Sequence, residues 1–316
     1  MAAVFALPGC ASHLDLNGAL AAAPYHFDDS GIIVVAAHVD GKGPFDFALD
    51  TAASISAVFD GLRKELELEP VSGTAVIVHG AVASGRFPLL DIDRLEIGSE
   101  AWAGPRIVLL PGETDVAARV DGVLGIDFLQ RYAIGFLAND RFVRLYPPGL
   151  VASRSYRGWA SVPLKAQSIG EEGPALYVID VEVAGRKMPA VFDLGAGLNM
   201  INWPGAHKLG FMPPLRRHDD LLSGAIGSLD NVPRFIADEV TTANIRWRDQ
   251  VFSVADLDIF ATLQFRDRPA VILGAGLFTQ RDFIIDFVRN RLLVRVAIDE
   301  RTEHAFRSDA PRRNRR

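Results

Sequence analysis

Apolar positions along the chain fall in short runs of strand length rather than on long helical faces. "GIIVVAAHV" (31–39) and "PFDFALD" (44–50) are two such runs, separated by "DGKG", a hairpin signal. A helix is predicted over 57–67. "TAVIVHGAVASGRFPLLDI" (74–92) then reads as two strands around a glycine-rich tip, and "RLEIGSEAWAGPRIVLL" (94–110) as two more. The second half repeats the pattern. "ALYVIDVEVAGRKMPAVFD" (175–193) is a strand pair, a short helix is predicted near Trp203–Leu209, and "LLSGAIGSLDNVPRFIADEV" (221–240) holds another glycine-tipped pair. The fold class is all-β with minor α.

The two halves are copies. Asp50 in "FDFALDTAAS" and Asp193 in "PAVFDLGAG" stand 143 residues apart, each closing an apolar run and followed by small residues. "GAVAS" (80–84) matches "GAIGS" (224–228), and Trp102 matches Trp247. "GVLGIDFLQRYAIGF" (122–136) matches "VILGAGLFTQRDFIIDF" (271–287), with Gly125 and Gly274 offset by 149. The offset only grows, as small insertions into the second copy require, whereas chance similarity would scatter it. The predicted organisation is a tail 1–23, a first lobe 24–150, a connector 151–157, a second lobe 158–300 and a basic tail 301–316.

Composition excludes several classes. At 316 residues, 49% hydrophobic and 23% charged, the chain has ample core for two lobes, and a net charge of −6 gives no reason to expect nucleic acid. No run of ~18 apolar residues spans a membrane. The single cysteine excludes an internal disulfide and any zinc-finger spacing. Leu7-Pro8-Gly9-Cys10 resembles a bacterial lipoprotein cleavage box, which would anchor lipid at Cys10 and place the protein in the periplasm or cell envelope. Only nine residues precede it and none is basic, so a cytoplasmic location stays open.

Two related lobes that each supply one aspartate bring the carboxylates together on a pseudo-two-fold axis. Like charges ~3 Å apart cannot both ionise, so the pair shares a proton. One member then serves as general base on a water while the other polarises a peptide carbonyl. No metal, cofactor or nucleophilic side chain is needed. The small residues let the loops approach closely and let backbone N–H groups hold the carboxylates.

These residues resemble the retropepsin/pepsin-type aspartic proteases, most closely bacterial retropepsin-like proteins with both halves fused in one chain. The resemblance runs from about residue 30 to 296. It implies two homologous β-barrel lobes, Asp50 and Asp193 as the catalytic dyad, and active-site loops formed by Thr51, Ala52, Ala53 and Ser54 and by Leu194, Gly195, Ala196 and Gly197. It also implies flaps over an extended peptide at 79–85 and 223–229, with His79, Gly80, Ala81, Gly224 and Ala225 near substrate, and a monomer without cofactor. Gly125 and Gly274 would sit where an inner strand passes beneath each aspartate loop.

The sequence departs from the family's D-T/S-G-A/S-S/T motif. Ala52 stands where glycine is usual, Leu194 where a hydroxyl is usual, and Gly197 where the last hydroxyl residue is usual. In the family the two hydroxyls bond across the interface, so Thr51 is expected to lack its counterpart, at a cost of ~1–3 kcal/mol if buried and unpaired. Leu194 is expected to pack into the interface instead. Ala53 and Ala196 lack the hydroxyl that pepsin-like enzymes aim at the carboxylates, so the dyad is expected to hold its proton to higher pH. Ser54 is a candidate helix N-cap as well as a loop residue. Trp102 and Trp247 are expected in the core. Asp127 faces a glycine, Gly276, in the second copy, so no role common to both lobes is expected of it. Three readings stay open: an endopeptidase, a catalytically impaired relative that binds peptides in the same cleft, and a cleft blocked by the segment 1–30.

Overall fold

Each lobe starts from a tight hairpin. In the first, Ile33–Val39 and Lys42–Leu49 pair antiparallel across Asp40 and Gly41, which sit at φ 51° and 75°. In the second, Ala175–Val183 and Arg186–Asp193 pair across Ala184 and Gly185, at φ 45° and 74°. Two successive left-handed residues give the turn whose twist matches a strand pair, so both hairpins set their register locally. The structure, a computed structural model, describes residues 17–149, 158–169, 175–212, 222–229, 231–278 and 281–296. Cys10, the connector 151–157 and the tail 301–316 lie outside the described residues. Among the described residues no helix is long and apolar enough to cross a membrane.

The chain is mostly strand, as its patterning implies. In the second lobe Ala175–Val183, Arg186–Asp193, Val271–Gly274, Asn199–Ile201, Ile245–Val254 and Arg234–Thr242 pair in that order, and the last pairs back to the first to close a barrel. In the first lobe the hairpin continues through Gly122–Leu124, Ala57–Phe59, Arg106–Leu110, Ser84–Asp91 and Pro70–His79. The helix predicted over 57–67 begins later. Ala57–Phe59 is a buried strand wedged between Gly122–Leu124 and Arg106–Leu110, and the helix is Asp60–Leu66. Two long-range pairings decide that segment over its local propensity. The segment 94–110 holds three strands, Arg94–Ile97, Glu100–Ala103 and Arg106–Leu110, rather than two. The second-lobe helix, Trp203–Lys208, forms where the sequence puts it, capped by Asn202, whose Oδ1 accepts from the Gly205 N–H at 2.9 Å.

Six strands join the lobes in one sheet, in the order Trp159–Pro163, Arg291–Arg295, Phe283–Asp286, Ala133–Leu137, Phe142–Tyr146, Ala21–Phe27. At its centre Ala133–Leu137 runs antiparallel to Phe283–Asp286, with Gly135 opposite Ile284 and Phe136 opposite Phe283. Gly135 and Ile284 differ by the same 149 residues as Gly125 and Gly274, so the pseudo-two-fold axis passes through this pair. Phe136 and Phe283 stack with centroids 4.3 Å apart and are both buried. Each ring contributes about 1.5–3 kcal/mol to the joint. Of the tryptophans only Trp247 is buried. Trp102 is half-buried, between Phe128 and the Arg131 guanidinium.

Candidate active site

Both aspartates are carried to the axis by the same three-strand device. Lys42–Leu49 ends at Asp50, whose N–H donates to the Leu124 carbonyl at 3.0 Å, so the inner strand Gly122–Leu124 runs parallel beneath it. Gly125 then passes under the loop so closely that a Cβ would press on the Ala53 oxygen and the Ile55 backbone. In the second lobe Val271–Gly274 runs parallel to Arg186–Asp193, Gly274 lies opposite Asp193, and a Cβ on Gly274 would overlap the Ala196 carbonyl. The Ile126 N–H donates to the Ala53 carbonyl at 2.8 Å, and the Ala275 N–H to Ala196 at 2.7 Å. The glycines are required by this crossing.

The two carboxyl groups stand within hydrogen-bonding reach of each other. Asp193 is buried and Asp50 half-buried. Asp50 Oδ1 accepts the N–H groups of Ala52 at 2.7 Å and Ala53 at 2.9 Å, and Asp193 Oδ1 accepts that of Gly195 at 2.9 Å. Burial is the largest influence on both and pushes both above the usual carboxylate range. For Asp50 the Ala52 and Ala53 N–H groups oppose it, followed by the bond with Asp193. Asp193 lies well above that range, because the Asp50 charge adds to burial. Gly195 is packed against the pair so tightly that a Cβ would overlap the Asp50 carboxyl.

Above the pair lies a cavity of about 350 Å³, walled by apolar side chains such as Ile55, Val108 and Val116 of the first lobe and Leu198, Met200 and Ile259 of the second. Two hairpins cover it. One joins Pro70–His79 to Ser84–Asp91, the other Leu222–Ser223 to Ser228–Leu229. Their tips cross. Val82 packs against the apolar cluster of the second lobe, Ala225 and Ile226 against that of the first. The Ile259 N–H donates to the Ala81 carbonyl at 3.4 Å, which ties the first tip to the opposite lobe. Of the predicted loop residues and the five flap residues expected near substrate, all border the cavity except Thr51 and Leu194, which lie buried behind it. His79 is exposed, and its Nδ1 pairs with Ser84 Oγ at 3.2 Å across the flap strands.

A family model for aspartyl proteases matches residues 35–128 and 179–277, one stretch in each lobe and together well over half of the chain. The chain belongs to this aspartyl protease family. No curated protein matches it.

As an aspartyl protease the chain departs from the usual motif in ways the packing explains. Thr51 does not go unpaired. Its hydroxyl donates to the Phe192 carbonyl at 2.6 Å and accepts the Leu194 N–H at 3.0 Å, both in the opposite lobe. The expected penalty is absent because its partners are backbone groups, which any residue at 194 supplies. Leu194 itself is fully buried in the core. Ala52 is tolerated because its methyl packs on the second-lobe cluster beside Val82 and Ala196. Gly197 cannot carry the usual hydroxyl side chain, since its Cβ would overlap the Ser30 carbonyl. Ser30 belongs to a turn tied together by Asp28, which accepts from the Ser30 and Ile32 N–H groups and from Arg119.

Sequence reasoning missed that turn and the residues that anchor the loops. Ser56 and Asn199 are buried polar residues beside apolar strands, and that misfit was their only signal. Ser54 is not a helix cap. The N-cap of Asp60–Leu66 is Phe59, without a side-chain bond, and Ser54 borders the cavity instead.

Proposed function

We propose that the protein is an aspartic endopeptidase that hydrolyses extended peptide segments, with Asp50 and Asp193 activating a water. The observation that carries this reading is the meeting of one carboxyl group from each lobe under two crossed hairpins. Unequal surroundings divide the roles. Asp50, the more exposed of the two, is the base, and Asp193, the more deeply buried, holds the shared proton. The water oxygen bonds to the peptide carbonyl carbon as Asp50 takes its proton and Asp193 gives its own to the carbonyl oxygen. When the C–N bond breaks, Asp50 passes its proton to the leaving amine and a diol hydroxyl returns one to Asp193. The flap strands and the cavity walls suit an extended chain, held through backbone hydrogen bonds.

Digestion of a peptide library by the purified protein across about pH 3–8, beside Asp50→Asn, tests this. New peptide termini are expected from the wild type alone. Peptides retained but uncut by both would overturn hydrolysis and leave a binding cleft.

A further inference from the structure

Asp127 has no place in the chemistry above, yet it is built into the first loop. Its carboxylate accepts the Ser56 N–H at 2.9 Å, the Ser56 hydroxyl at 2.7 Å and the Phe128 N–H at 2.9 Å. Ser56 Oγ in turn accepts the N–H of Gly125 at 3.0 Å, where the inner strand crosses beneath the catalytic loop. The second lobe makes the same tie differently. There the Gly274 N–H donates to Asn199 Oδ1 at 3.1 Å, and the Asn199 amide is fixed by donating to the Val251 carbonyl at 3.3 Å. Ser56 and Asn199 are 143 residues apart, the spacing of Asp50 and Asp193, so they are counterparts.

The chemistry of the two anchors explains why a carboxylate is present once. A serine hydroxyl is a free rotor, and it accepts from Gly125 only while its own hydrogen points elsewhere. Asp127 takes that hydrogen and so aims the lone pair at Gly125. The planar amide of Asn199 is oriented by Val251 and needs no third group. The position opposite Asp127 is Gly276.

We infer that Asp127 is a positioning residue for the first catalytic loop, acting through the Ser56 hydroxyl on Gly125 and hence on the placement of Asp50. Burial raises the Asp127 carboxyl while the Ser56 and Phe128 donors oppose it, so the group is held here against its solvation preference. The inference rests on the proposed hydrolysis only for its kinetic readout.

The test compares Asp127→Ala, Asp127→Asn and Ser56→Ala with the wild type by amide hydrogen exchange and by peptide cleavage. In Asp127→Ala, exchange at Gly125 and Ile126 is expected to rise at least ~10-fold over any global change, with Gly274 and Ala275 unaltered. kcat is expected to fall about 10- to 100-fold at nearly constant KM. Asp127→Asn, which keeps an acceptor for the hydroxyl, should recover most of it. The double variant Asp127→Ala/Ser56→Ala should be no worse than the poorer single one, because both act through one hydroxyl. Unchanged exchange at Gly125 in Asp127→Ala, or additive kinetic losses, would overturn the inference. If Asp127→Ala does not fold, Asp127→Asn and Ser56→Ala carry the same comparison. A wild type that cleaves nothing would sink the proposed function and leave the exchange measurement to decide this one.

Discussion

The two aspartate loops share a path and differ in nearly every side chain that holds it. The first reaches across the axis with Thr51 and is anchored beneath by Ser56 with Asp127. The second answers with backbone alone, fills the place of a hydroxyl with Leu194, and is anchored by Asn199. The backbone crossing is thus the common requirement, and a hydroxyl, an amide or an aliphatic group can each serve it. Two identical subunits could not adopt this arrangement, since any residue would appear on both sides. A duplicated chain can keep one threonine and let its partner become apolar.

The comparison breaks most severely at the carboxylates. Replacing Asp50 or Asp193 by asparagine should lower cleavage at least ~10²-fold, in both lobes alike, with the circular dichroism spectrum retained. A large residual rate in either variant would mean that the two lobes do not share the reaction. Stability should respond in the opposite sense. Both folded carboxyl groups are raised, so each favours the native state below its unfolded pKa and weakens it as pH rises through the folded value. Each asparagine variant should therefore melt at the wild-type temperature in acid and above it at neutral pH.

A smaller effect separates the two grip positions. Thr51→Val leaves the Phe192 carbonyl and the Leu194 N–H unpaired in a buried interface, and chemical denaturation should show a loss of about 2–4 kcal/mol. Leu194→Thr, which restores the symmetric motif on paper, should also destabilise, because it trades packed apolar area for a hydroxyl. A gain in stability would show that symmetry, not packing, is limiting at this site.

The finest distinction is in pH. Cleavage should follow a bell centred at about pH 5–6. Below it the base is protonated, and above it the shared proton is lost. A hydroxyl added at Ala53 or Ala196 should stabilise the ionised form and move the acidic limb down. Asp50 is the base, so Ala53→Ser should shift this limb further than Ala196→Ser, whose hydroxyl faces the carboxyl that already holds the proton. Equal shifts in pH–rate profiles would remove the inferred difference between the carboxylates.

Much of this was legible because duplication writes the same signal twice. Asp50 and Asp193, the glycine-tipped flaps and the crossing glycines repeat in order, and repetition singles out residues that are weak signals alone. What failed to show has one physical cause. The partners of Thr51 are backbone groups of another lobe, and Ser56 meets Asp127 across 71 residues, so neither bond leaves a spacing to read. The strand Ala57–Phe59 was hidden for the same reason, since its two neighbours come from later in the chain.

The sheet beneath the lobes sets the order in which the molecule can be made. Gly135 pairs with Ile284, so that joint waits for nearly the whole second half of the chain. Loop-closure entropy is met before such distant contacts contribute, which makes docking a slow step. Until it happens each half carries an open strand edge, with Phe136 or Phe283 beside it. An open apolar edge pairs readily with another chain, so refolding yield should fall as protein concentration rises, with the loss arising at this edge.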